Sequence, residues 1–248
     1  MRAQTHRKIA RAVACVLGIG DGPLLEALVS GSVAPDACPE RELAVRVTRG
    51  GRVRLYSRNV RHHTTANRGR IMRFIWDARR SWLRGDAVKA AYNLGWALHY
   101  VQDMCVSPVG HWESEVEAAG APVPLGLMRA AAARARPSPS YVESVLLALG
   151  PLKGASALTN ASVASACIAA AVLGPSEPPI GLVEEEEGLR GRHVKCVSAA
   201  ALLALLGAAA IAAFPPASIA FFAGALASYC LDGKYRRVRR ELKWFRRS

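Results

Sequence analysis

The chain has 248 residues, 51% of them hydrophobic and only 6% aromatic, with a formal charge of +14. That length suits one sizeable domain with an appendage, and a composition rich in Ala, Leu and Val points to an all-α protein. The six cysteines (Cys15, Cys38, Cys105, Cys167, Cys196, Cys230) stand singly, which excludes a zinc ribbon and a small disulfide scaffold.

Cys15, Cys105 and Cys167 lie in apolar helical settings and are expected in the core. The positive charge suits nucleic acid or an anionic membrane equally, so its location along the chain has to decide.

Met1–Lys8 is polar and has no secretory pattern, so export by that route is not expected. Thr5 is the expected N-cap of a first helix to about Leu17, striped by Ile9, Val13, Val16 and Leu17, with His6 in its first turn. Asp21 and Pro23 open a second helix that ends at Gly31. The sequence Gly31-Ser-Val-Ala-Pro-Asp36 then reads as a proline-stiffened turn presenting one carboxylate. Residues 41–58, rich in Arg and Val, read as either a short hairpin around Gly50-Gly51 or a basic loop.

Arg61-His62-His63-Thr64 precedes a long helix containing Ile71, Phe74, Ile75, Ala78 and Leu83. Gly85 breaks it, Asp86 caps the next, and so short a link makes the two antiparallel neighbours. The second of them carries His99 and Asp103. Four residues apart on a helix, they share one face with Cβ atoms about 5–6 Å apart, and an imidazole and a carboxylate so placed can close on one Zn²⁺. Ser107-Pro108 ends that helix, and His111 and Glu115 repeat the spacing. An isolated pair of this kind is more often an ion pair or a buried core histidine. Five of the six histidines, however, precede residue 112, which directs attention to the first half of the chain.

Three apolar helices are expected as bundle walls, near Pro124–Ala133, Tyr141–Leu149 and Ser156–Leu173. A charged linker follows over 179–194, with Glu184–Glu187 and then Arg190 and Arg192. Cys196–Leu231 contains no charge and is divided by Phe214-Pro215-Pro216. It reads as two short membrane spans joined by a tight turn, or as a buried hairpin of the soluble domain. The tail Lys234–Arg247 is basic with interleaved Tyr235, Trp244 and Phe245, which fits a juxtamembrane segment held by anionic lipid and disfavours nucleic acid as its partner. Basic residues at both ends of the hairpin put the N-terminal domain on the cytoplasmic side. The expected domains are 1–178, the linker 179–194, a transmembrane hairpin 195–231 and a basic tail 232–248.

Gly31–Asp36, the His62-His63 pair, Ala90–Asp103 and Pro108 followed by His111 resemble the zinc-dependent phospholipase C family, which shares an all-α fold with fungal zinc-dependent single-strand nucleases. The resemblance covers roughly residues 3–118, most specifically Leu94–Pro108. It implies a cluster of three Zn²⁺ ions as cofactor and a phosphodiester substrate, an expectation that two departures from the family reduce to one well-formed site with up to three ions. His6, Asp36, His62 or His63, His99, Asp103, His111 and Glu115 are then the implied ligands, Asp103 able to bridge two metals and Asp36 the candidate base.

This sequence departs from the family in two places. Only His111 stands where the family has a further histidine before the terminal His-x-x-x-Glu pair, and no cleaved leader frees an N-terminal amine, although Met1 closely precedes His6. The leading expectation is therefore a membrane-anchored zinc-dependent phosphodiesterase acting on a phospholipid or related phosphoester. The alternatives are an inactive membrane protein that keeps the fold and at most a structural metal, and a nuclease on the same fold with Trp76, Trp82, Trp96 and Trp112 as stacking candidates.

Overall fold

In the computed structural model residues 1–47, 51–60, 64–107, 120–230 and 232–246 are described, and they form two compact units, Met1–Gly174 and Pro175–Arg246. Among the described residues there are eleven helices and one two-stranded ribbon, so the all-α expectation holds.

The first helix of the N-terminal unit, α1 (Ala3–Val16), starts earlier than its capping signal suggests, so Thr5 lies buried within it. His6, Ile9, Ala10 and Val13 recur at helical spacing and are all buried. Cys15 falls off that stripe and is exposed, contrary to expectation, whereas Cys105 and Cys167 are buried as expected. Next comes α2 (Pro23–Gly31), with Pro23 in its first turn where a missing N–H costs nothing. The turn bearing Asp36 closes into a single short helix, α3 (Ala34–Ala37), with Pro35 buried beneath it. Of the two alternatives for 41–58 the paired strands hold: β1 (Arg41–Val47) pairs antiparallel with β2 (Val53–Asn59), Val45 opposite Leu55.

After a 3-10 turn at Thr65–Asn67 comes α4 (Arg68–Leu83), then α5 (Ala87–Met104). Gly85, at φ +84°, makes the reversal between them, and the Asp86 carboxylate caps α5 by accepting from Lys89 N at 3.1 Å. The helix α5 is the centre of the unit, packing on α2 and α4, and twelve of its residues are buried. Its crossing with α2 is unusually close because both helices present glycine there. A Cβ on Gly95 would stand 2.3 Å from Leu28 O, and one on Gly31 2.2 Å from Tyr92 O, separations no real side chain tolerates.

The wall helices are α6 (Leu125–Ala133), α7 (Pro139–Ala148) and α8 (Gly154–Leu173). Ser138 caps α7 by accepting from Tyr141 N at 3.1 Å. The segment before α8 is tied to the end of α5 by Leu152 N donating to Cys105 O at 2.8 Å and Ser107 N donating to Leu152 O at 2.9 Å. Arg79 of α4, fully buried, donates to the Val172 and Gly174 carbonyls at 2.8 Å each, satisfying the C-terminal end of α8. Burial alone pulls its guanidinium down to about 10.

The C-terminal unit consists of α9 (Ile180–Ala213), α10 (Pro215–Cys230) and α11 (Gly233–Lys243). The stretch 179–194, expected as a linker, is helical from Ile180 on and continuous with the apolar run, with no proline between Ile180 and Ala213 to interrupt it. The chain turns at Phe214, and α10 then packs on α9 where Gly207 lies against Phe222 and Gly224 against Leu203. The basic tail folds onto the acidic run. Lys234 pairs with Glu185 at 2.9 Å, Tyr235 OH donates to Glu186 at 2.9 Å, and His193 Nδ1 meets Asp232 at 2.7 Å.

Candidate metal centre

Three elements of the N-terminal unit bring ligand-type side chains together. From α1 comes His6, from α3 Asp36, and from α5 His99 and Asp103. One ligand atom each from His6, Asp36 and His99 lies within 4.8 Å of the others, a spacing a single metal ion can span. Asp103 sits beneath them, with Oδ1 3.4 Å from His6 Nε2 and Oδ2 3.3 Å from His99 Nε2. The two imidazoles stack with centroids 4.1 Å apart.

Each ring is oriented by a hydrogen bond on its far side. Gln102 donates through Nε2 to Ser165 Oγ at 3.2 Å, which turns its Oε1 toward His6 Nδ1 at 2.6 Å, so the proton of His6 resides on Nδ1. His99 Nδ1 donates to the Ser32 carbonyl at 3.0 Å. That bond depends on the glycine crossing, which lays the end of α2 directly on α5 four residues before His99. Outer partners of this kind fix the tautomer and aim of ligating histidines.

Both Nε2 lone pairs therefore face oxygen. His6 Nε2 looks at the Met1 carbonyl at 3.1 Å and at Asp103, while His99 Nε2 looks at Asp103 and at Asp36 Oδ1 at 3.6 Å. Converging lone pairs repel unless a cation or a proton lies between them. A proton on His6 is disfavoured, because burial and the adjacent His99 hold its pKa below the ordinary imidazole value. The donor chemistry, two imidazoles with carboxylates, is that of a zinc site. Met1 N lies against Asp103 Oδ1, both of them buried.

Access is one-sided. His6, His99 and Asp103 are at most 2% exposed, whereas the Asp36 side chain is 41% exposed, so Asp36 stands at the mouth. Of the other ligands expected from sequence, His62, His63, His111 and Glu115 lie outside the described residues, as does Pro108. Sequence reasoning missed the residues that aim the ligands: Gln102, Ser165, Ser32 and the paired glycines. A polar Gln102 three residues after His99 in an apolar helix, and Gly95 four residues before it, were the available signals.

Residues 5–213 match the family model described as zinc dependent phospholipase C. No curated protein and no solved structure is matched. The match spans most of the chain, extends beyond the region where the sequence motifs lie, and includes His6, Asp36, His99 and Asp103. The chain belongs to the zinc-dependent phospholipase C family.

Proposed function

We propose that this chain is a membrane-anchored zinc-dependent phosphodiesterase that hydrolyses a phospholipid or a related phosphoester. The observation that carries the reading is the convergence of His6, Asp36, His99 and Asp103, buried on three sides and open at Asp36, in a chain of this family. Zinc in such a site supplies Lewis acidity toward a phosphoryl oxygen and lowers the pKa of water. His6 and His99 would hold the ion through Nε2. Asp103, reaching both rings, is the candidate for bridging two ions, and Asp36 at the mouth is the candidate base that takes a proton from the attacking water. His62, His63, His111 and Glu115 are the further ligands in this reading, for up to three ions.

The anchor in this reading is the apolar hairpin. Within α9 the most apolar window is only 6% buried, and it is long enough to cross a bilayer. We assign 1–178 to the zinc domain, 179–194 to a charged linker segment, 195–231 to a transmembrane hairpin and 232–248 to a basic tail near anionic lipid. The zinc domain then faces the cytoplasm, because basic residues flank both ends of the hairpin.

A second reading, an inactive scaffold with a structural zinc, is favoured by the single histidine at His111 where the family carries two. The nuclease reading loses support at Trp96, which packs against Phe74 at 5.4 Å and Tyr92 at 5.9 Å as a helix-packing residue.

Zinc content and hydrolysis of phospholipid and nucleic-acid phosphodiesters, measured on the full chain and on Asp103→Asn, test the proposal. Bound zinc with phospholipid hydrolysis that disappears in the variant supports it. Bound zinc without turnover of either substrate favours the scaffold, and absence of zinc overturns the site itself.

A further inference from the structure

The ribbon formed by β1 and β2 has two unlike faces. Strand alternation and the observed register put Leu43, Val45, Val47, Val53 and Leu55 on one face, and all five are between 62% and 78% exposed. The other face carries Ala44, Tyr56 and, directly opposite each other, Arg46 and Arg54. Two like charges across a strand pair destabilise it unless an anion lies near. An exposed aliphatic face of this size on a ribbon is a contact surface awaiting a partner.

The root of the ribbon, by contrast, is firmly held. Glu40 pairs with Arg70 at 2.9 Å and Arg73 at 2.8 Å, and Glu42 pairs with Arg58 at 2.8 Å. Glu40 also accepts from Tyr100 OH at 3.4 Å, and Tyr100 adjoins His99 on α5. The root follows Asp36 by only four residues. The ribbon is thus fixed at the mouth of the metal centre and reaches about 20 Å outward over its seven-residue strands.

We propose that this ribbon lays its aliphatic face into the surface of an anionic phospholipid bilayer and so brings the Asp36 mouth to the lipid headgroups. Residues 41–59 hold six arginines against one acid, Glu42, which is already paired with Arg58 and Arg70. A second copy of the ribbon would bring two arginine-rich segments together, and a nucleic acid would leave five aliphatic side chains without a partner. Anionic lipid satisfies both faces, acyl chains taking the aliphatic side chains while the long arginines reach headgroup phosphates. This contact is separate from the C-terminal hairpin, and it rests on the phosphodiesterase reading only for its purpose.

The test uses the full chain in nanodiscs of phosphatidylglycerol and phosphatidylcholine, with a tryptophan introduced as Leu55→Trp and read as the difference from the parent protein. Lipids brominated on their acyl chains are expected to quench the added fluorescence. Adding Arg46→Gln and Arg54→Gln is expected to lower the docked-to-undocked ratio by roughly thirtyfold, at about 1 kcal/mol per basic residue near the surface. Zinc content of every variant reports that the N-terminal unit remains folded.

Fluorescence indifferent to bromine overturns the proposal. So does disulfide cross-linking between copies of Leu55→Cys, or quenching by a single-stranded oligonucleotide with no response to bromine. Quenching by bromine in a protein that hydrolyses no phosphodiester sinks the enzymatic reading and leaves the docking intact. Hydrolysis of a soluble phosphodiester without bromine quenching does the reverse.

Discussion

The helices α8 and α9 are both long and apolar enough to cross a membrane, yet 67% of the apolar window of α8 is buried within the protein and only 6% of that of α9. The difference lies in their neighbours. Around α8 stand α1, α4, α5, α6 and α7, and Arg79 closes its C-terminal end. The apolar half of α9 is paired chiefly with α10, a helix as apolar as itself, and Leu202, Leu205 and Ile211 remain exposed. Composition alone does not separate a core helix from a candidate membrane span; the amphipathic helices around it do.

Breaking the first half of that comparison has the largest expected effect. Ala166→Arg places an unpaired charge at a fully buried position of α8, and a loss of about 4–5 kcal/mol or more should unfold the N-terminal unit. Urea titration of the purified chain, with zinc content as a second readout, checks this. The matching change on α9, Leu205→Lys at a position 70% exposed, should leave zinc binding untouched and oppose membrane insertion by about 3–4 kcal/mol. The measurement is carbonate extraction of membranes from cells expressing each form; equal extraction would remove the membrane assignment of α9.

Smaller changes sharpen the role of the core in aiming the metal ligands. Gly95→Ala forces α2 and α5 apart, at a cost of about 1–3 kcal/mol in stability. Because the Ser32 carbonyl moves with α2, zinc affinity should fall as well. An equal change at Gly126, whose Cβ would meet open space, should do neither, as thermal unfolding and zinc competition would show. Gln102→Leu removes the acceptor that orients His6 and should weaken zinc binding by about 10–100-fold, with a far smaller change in melting temperature. Competition against a chelating dye measures the first and calorimetry the second.

Much of the N-terminal unit was legible in the sequence because each signal was local. The Asp86 cap, the Gly85 reversal and the i, i+4 spacing of His99 and Asp103 act through neighbours along the chain. The start of α1 was misplaced for the converse reason: Thr5 has the chemistry of an N-cap, but the buried stripe beginning there keeps it inside the helix. Cys15 was misjudged because apolar surroundings in sequence do not state which way a helix face turns. The segment 41–58 stayed ambiguous because its aliphatic face has no core to pack on, so alternation there carried no burial signal.

The sequence by itself determined the all-α class, the family motifs and the residues capable of binding metal, since these follow from residue type and short-range spacing. Only the tertiary structure decided that His6, Asp36 and His99 meet within one ion's reach, that Gln102 and Ser32 set both imidazole tautomers, and that α8 is core while α9 is exposed. Those outcomes depend on contacts between residues far apart along the chain, 96 positions for His6 and Gln102 and more for the packing of α1 on α8, and no local pattern along the chain encodes which distant surface a side chain will face.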